Sequence, residues 1–142
     1  MHRSINNLLL LLLLFAGVGC GNKSASPGNA AKADSAAVGS MVDLDQRRMP
    51  VFLKAGGPML LEFGGKRCIS CANMRKELEK LQAAMPSLRI GFVYWEDSPE
   101  LFEEWKIGLI PAQIILDADG KETTRHQGIW EMKEMKRALA GM

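Results

Sequence analysis

Cys68 and Cys71, in the stretch EFGGKRCISCANMRKELEKL over residues 62–81, are the side chains best equipped for chemistry in this 142-residue chain. Two thiols separated by two residues can cycle between dithiol and disulfide, hold a soft metal ion as thiolates, or close as a fixed bridge. The fixed bridge is the least useful of the three, because closing so short a loop removes little chain entropy. Redox work needs one sulfur to be a reactive thiolate, which calls for positive charge close by. Lys66 and Arg67 place two cations immediately before Cys68.

The flanking residues say how the pair is positioned. PMLLEF, residues 58–63, is a short apolar run that fits a buried strand, and GGKR breaks it. Cys71, Met74, Leu78, Leu81 and Met85 then recur at steps of three and four, the apolar stripe of an amphipathic helix that Pro86 ends. Cys68 therefore stands at the helix start and Cys71 one turn inside, on the buried face. A helix N-terminus carries partial positive charge and unpaired N–H groups, both of which favour a thiolate. These features make Cys68 the attacking sulfur and Cys71 the resolving one.

Downstream, LRIGFVYW (88–95) reads as a second strand. SPELFEEWKI (98–107) reads as a helix with Ser98 as N-cap and Pro99 at its first position. AQIIL (112–116) and KETTRHQ (121–127) form an antiparallel hairpin through the turn Asp117–Gly120, and residues 130–141 close the chain as a helix. The order β-α-β-α-β-β-α, with a parallel pair first and a hairpin last, is an α/β sandwich.

The chain before residue 41 is of a different kind. Leu8 to Gly19 is an unbroken apolar or glycine run of 12 residues ending at Cys20. That is too short to span a bilayer, which takes roughly 20 residues, but suits a secretion signal. AGVGC resembles the lipobox of bacterial lipoproteins, although Gly17 stands where that motif usually has Leu. The resemblance implies that Cys20 is lipidated and tethers the protein to a membrane in the cell envelope; an ordinary signal cleavage, giving a soluble periplasmic or secreted protein, is the alternative. Residues 21–40 are rich in Gly, Ala, Ser and Asn and hold one large apolar side chain, Val38, which predicts a flexible linker. Residues 41–142 are left for one compact domain. Removing residues 1–20 takes away Arg3 and no acid, leaving 17 basic against 16 acidic residues, a balance that speaks against nucleic acid as a partner. Two remaining cysteines in a chain sent to an oxidising compartment favour the dithiol–disulfide reading.

Together the strand–C-x-x-C–helix of 58–85, Pro111 in LIPA 40 residues after Cys71, the hairpin LDADGKE and the terminal helix resemble the thioredoxin-fold thiol–disulfide oxidoreductases over about residues 43–141. The resemblance implies a three-layer sandwich, a central mixed sheet flanked by helices. It also implies that Pro111 is cis and faces the disulfide, with Ile110 offering its backbone to an extended substrate segment. Glu62, six positions before Cys68, stands where the family carries a buried carboxylate; desolvation would raise its pKa and let it exchange a proton with Cys71. The other possibility for Glu62 is a solvent-facing pair with Lys66.

The sequence departs from thioredoxins proper in having Arg67 in place of Trp before the first cysteine, Ile69–Ser70 in place of Gly-Pro, and Ala112 in place of Thr after the proline. An apolar-then-small pair between the cysteines is similar to the C-terminal domain of the membrane reductase DsbD. That implies a reductant in a thiol relay acting on protein disulfides of the cell envelope, a monomer with no cofactor or metal beyond its own dithiol. Two other functions fit the same elements. A Cu(I) carrier could use the cysteines, His126 and some of the nine methionines, although thioredoxin-like copper carriers space their cysteines C-x-x-x-C. A redox-inactive interaction domain would keep the fold and not need Cys68.

Overall fold

The computed structural model describes residues 40–142. The expected signal, Cys20 and all of the expected linker but Ser40 lie outside the described residues. The elements are β1 (Met41–Leu44), α1 (Arg48–Lys54), β2 (Met59–Gly64), α2 (Ile69–Ala84), β3 (Arg89–Tyr94), α3 (Pro99–Glu104), β4 (Ala112–Leu116), β5 (Glu122–Gln127) and α4 (Met132–Ala140). The strands form one mixed sheet in the order β1-β3-β2-β4-β5. β3 runs parallel to both β1 and β2, whereas β4 is antiparallel to β2 and to β5.

β2 is buried along its whole length because helices cover both faces of the sheet. Met59, Leu61 and Phe63 join Phe52 of α1 and Leu101 and Phe102 of α3 in one core. Leu60, on the opposite face, packs with Met74, Leu78 and Leu81 of α2 and with Met135 and Leu139 of α4 in the other. Strand alternation thus assigns Leu60 and Glu62 to the α2/α4 side.

Two elements precede the first strand expected from sequence. β1 is only four residues long, too short for a periodicity to show. α1 contains Pro50, which argues against a helix interior, but here proline falls in the first turn, where its missing N–H costs nothing. Asp45 starts this helix: one carboxylate oxygen accepts the N–H groups of Arg47 and Arg48 at 2.9 and 2.8 Å, and these bonds hold its pKa down. Arg89 links α1 to β3, its guanidinium donating to the carbonyls of Phe52 and Gly56 and lying 4.2 Å from the centre of the Phe52 ring. At α3 the N-cap is Ser98, but its hydroxyl is buried and caps nothing; Pro99 at the first helical position fixes the start instead.

Gly91 sits at the centre of β3, opposite Val42 on one side and Leu61 on the other. A Cβ there would fall 2.3 Å from Cδ1 and 3.1 Å from Cγ of Leu44, and 3.2 Å from Cδ2 of Leu61. Gly91→Ala is therefore expected to destabilise the fold by about 1–3 kcal/mol, the usual cost of overpacking, as read from the midpoint of urea unfolding.

Candidate active site

The Gly64–Gly65 break stops β2 and turns the chain into α2, with Cys68 as the N-cap residue of that helix. Its sulfur accepts the Cys71 N–H at 3.1 Å and lies 3.2 Å from the Ser70 hydroxyl. These are the contacts a thiolate at this position would receive, and the sequence offers no pattern that singles Ser70 out for one of them. Cys68 and Cys71 form a disulfide, with their Cα atoms 5.2 Å apart. Cys68 is half-buried, while Cys71 is 9% exposed and faces the α2 core.

Glu62 lies beneath the pair, 3% exposed. Burial pushes its pKa up to about 8, against the opposing pull of a hydrogen bond from Gln113. Gln113 Nε2 donates to Glu62 Oε2 at 2.9 Å, while Oε1 has no hydrogen-bond partner. Oε1 and the Cys71 sulfur both border the same point, 3.8 and 3.4 Å from where a Cβ on Gly64 would be. The absent side chain of Gly64 is what leaves carboxyl and sulfur facing one space.

That space opens into a pocket of about 320 Å³ whose walls include Asp43, Glu62, Lys66, both cysteines, Arg75 and Tyr94. Arg75 extends over the Phe92 ring, 4.1 Å from its centre, and donates to the Tyr94 hydroxyl at 2.6 Å. Burial raises the Tyr94 pKa against the Arg75 charge.

Lys66 does not reach Glu62. Its ammonium pairs with Asp97 at 2.6 Å, which raises its pKa, and its backbone N–H is held by both oxygens of the Glu96 carboxylate at 3.1 Å. Glu96 is thereby pulled below the ordinary carboxylate range, first by the Lys66 N–H and to a smaller extent by that of Arg67. Two acids thus stand beside the two cations that precede Cys68. They lie some thirty residues away in sequence, after β3, so only the parallel β2–β3 pairing brings them here. The side chain of Arg67 is exposed.

The Ile110–Pro111 peptide bond is cis. Pro111 is buried and its carbonyl accepts the Gly128 N–H at 2.7 Å. Ile110 is 38% exposed, and its Cδ1 lies 3.3 Å from a Cβ position on Gly65 that is 3.6 Å from Cys68 Cβ, so this loop flanks the disulfide. His126 stacks on Trp130 with ring centres 4.8 Å apart, and Met74 and Met135 are fully buried. Among the described residues, no three of His, Cys, Asp and Glu are gathered as a metal site.

The family model of a thioredoxin-like domain matches residues 46–142. The chain belongs to the thioredoxin-like family. It is 33% identical to a thioredoxin of Chlamydia caviae over 85 residues, 60% of this chain and 82% of that protein. It is 35% identical to a thioredoxin of Chlamydia trachomatis over 75 residues, 53% of this chain and 72% of the other. Among solved structures, chloroplastic thioredoxin z superposes with a TM-score of 0.66 at 17% identity, covering 71% of this chain and 92% of its own. Thioredoxin from Trypanosoma brucei brucei gives 0.66 at 18%, covering 75% and 94%. With the C-x-x-C pair at disulfide distance, this thioredoxin-like protein is a thiol–disulfide oxidoreductase.

Proposed function

We propose that this thioredoxin-like protein is a cell-envelope reductant in a thiol relay, held to a membrane through a lipid on Cys20, acting as a monomer on protein disulfides and using no cofactor beyond Cys68 and Cys71. The observation that carries the chemistry is the asymmetry of the pair: a half-exposed Cys68 at a helix N-terminus, and a buried Cys71 facing an unpartnered oxygen of Glu62. The apolar run before Cys20 supports the envelope location, and Ile69–Ser70 between the cysteines supports the reducing direction.

In the reaction, the Cys68 thiolate attacks one sulfur of a substrate disulfide. A mixed disulfide forms and the other substrate sulfur leaves as a thiolate. Cys71 gives its proton to Glu62 and attacks Cys68, closing the Cys68–Cys71 disulfide and releasing the second substrate sulfur. Two electrons pass to the substrate, its thiolates take up two protons, and an upstream dithiol restores the pair. Lys66 and Arg67 add positive charge before Cys68, offset by Asp97 and Glu96. Ile69, Leu109, Ile110 and Ile129 expose apolar surface on and beside the segments that carry Cys68 and Pro111, a rim suited to a protein segment laid along Ile110.

The test is a redox titration of the full chain with Cys20→Ser in detergent, equilibrated in glutathione buffers and read by thiol-alkylation mass shift. A reversible two-electron transition between about −120 and −280 mV is expected, towards the reducing end of that range. A bond still closed below about −300 mV would be a structural bridge and would sink the proposal.

A further inference from the structure

We propose that Gln113 is a positioning residue for Glu62: it holds Oε2, turns Oε1 towards Cys71, and sets the pH at which Glu62 exchanges its proton. The inference rests on the proton role proposed for Glu62 and adds the group that governs it.

The placement comes from strand register. Glu62 and Gln113 are direct partners on the antiparallel β2–β4 pair, so their side chains leave the sheet on the same face with Cβ atoms about 5 Å apart. Gln113 is fully buried, an uncommon site for a carboxamide, and its neighbours Ile114 and Ile115 show what the strand otherwise buries. Its Nε2 is committed to Glu62 Oε2, and its own Oε1 has no partner. A lone buried acceptor costs free energy, which gives this side chain no advantage over leucine unless the amide has work to do.

A carboxamide suits that work. Its Nε2 donates to Oε2 of the carboxylate, and it can go on donating to Oε2 as the carbonyl oxygen of the acid once Oε1 carries the proton. Gln113 can therefore stay bonded to Oε2 in either protonation state, leaving Oε1 as the oxygen free to meet the Cys71 proton. Donation to the ionised form opposes the effect of burial, and the Gln113 bond does pull the Glu62 pKa down.

Other charged or titratable groups surround Glu62. Cys71 and Arg75 come from α2, Lys66 from the loop before it, Tyr94 from β3 and Asp43 from β1, all on the same pocket wall. His126 of β5 is the register partner of Gln113 on its far side. α4 meets this face with Met135 and Leu139. Among the described residues, only Gln113 is hydrogen-bonded to the Glu62 carboxyl group.

The test follows the Glu62 carboxyl directly, by carbon-13 NMR of glutamate-labelled, oxidised full chain with Cys20→Ser in detergent. Glu62→Gln assigns the resonance by deleting it. In Gln113→Leu the Glu62 midpoint is expected to move up by about one to two pH units, the worth of a lost hydrogen bond to a charged group. Gln113→Asn, one methylene too short to reach, should move it in the same direction and gives the same reading if the leucine variant does not fold. An unmoved or lowered midpoint in the folded variant overturns the inference. The pH profile of disulfide reduction should shift upward with the carboxyl; a profile that stays in place while the carboxyl moves overturns the catalytic half. If the parent chain reduces no disulfide while Glu62 still responds to Gln113, the enzymatic reading has failed and the positioning has not.

Discussion

Cys71→Ser is expected to end turnover and leave the protein covalently joined to its substrate through Cys68. The structure gives the two sulfurs different access: Cys68 is half-buried at the head of α2, and Cys71 is 9% exposed one turn inside the helix. An incoming disulfide therefore meets Cys68 first. The contact that supports the Cys68 thiolate from position 71 is a backbone N–H, at 3.1 Å, and serine keeps it. The Ser70 hydroxyl at 3.2 Å is also unchanged. The first exchange therefore survives the substitution, while the second, which needs a nucleophile at position 71, does not. A non-reducing gel of the variant mixed with a disulfide-bonded protein should show a stoichiometric adduct that dithiothreitol removes. Cys68→Ser should trap nothing and also lose turnover. The opposite pattern, with Cys68→Ser capturing substrate and Cys71→Ser not, would reverse the two roles.

The positions of the two cysteines, on which these expected roles rest, were legible in the sequence because they depend on local geometry. A strand, a glycine break and a helix with Cys68 at its head can be read from residues 58–85 alone, and so can the side of β2 on which Glu62 emerges. The hairpin β4–β5 and helix α4 were legible for the same reason. Relations made only by tertiary pairing were not. Glu96 and Asp97 counter the charge of Lys66 because β3 lies parallel to β2, and no periodicity around residue 66 reports that. The short β1 and the helix α1 were missed because four residues carry no pattern and Pro50 imitates a helix breaker. Gln113 was missed because it interrupts AQIIL as one polar residue in an apolar run. Its meaning appears only once β4 is registered against β2.

Glu62→Gln is expected to stabilise the oxidised protein, and to do so more as the pH rises. In the folded state the Glu62 pKa is raised from 4.5 to about 8 by burial. Between those values the unfolded chain has released the proton and the folded chain still holds it, so the unfolded state binds fewer protons and stability falls with increasing pH. Below about pH 4.5 both states are protonated and the carboxyl contributes no penalty. Above about pH 8 the penalty is complete, worth roughly 3–5 kcal/mol for a shift of this size. Glutamine keeps the shape and can still bond Gln113, but it cannot ionise. The difference between variant and parent in urea unfolding, both with Cys20→Ser and the disulfide closed, should be small at pH 5 and grow to a few kcal/mol at pH 9. Other titrating groups are shared by the two proteins and cancel. A difference that stays flat across this range would mean that Glu62 titrates normally, and a carboxylate of ordinary pKa would be too weak a base to take the proton of the Cys71 thiol. The same desolvation that weakens the fold above neutrality is therefore what equips Glu62 to exchange a proton with a thiol.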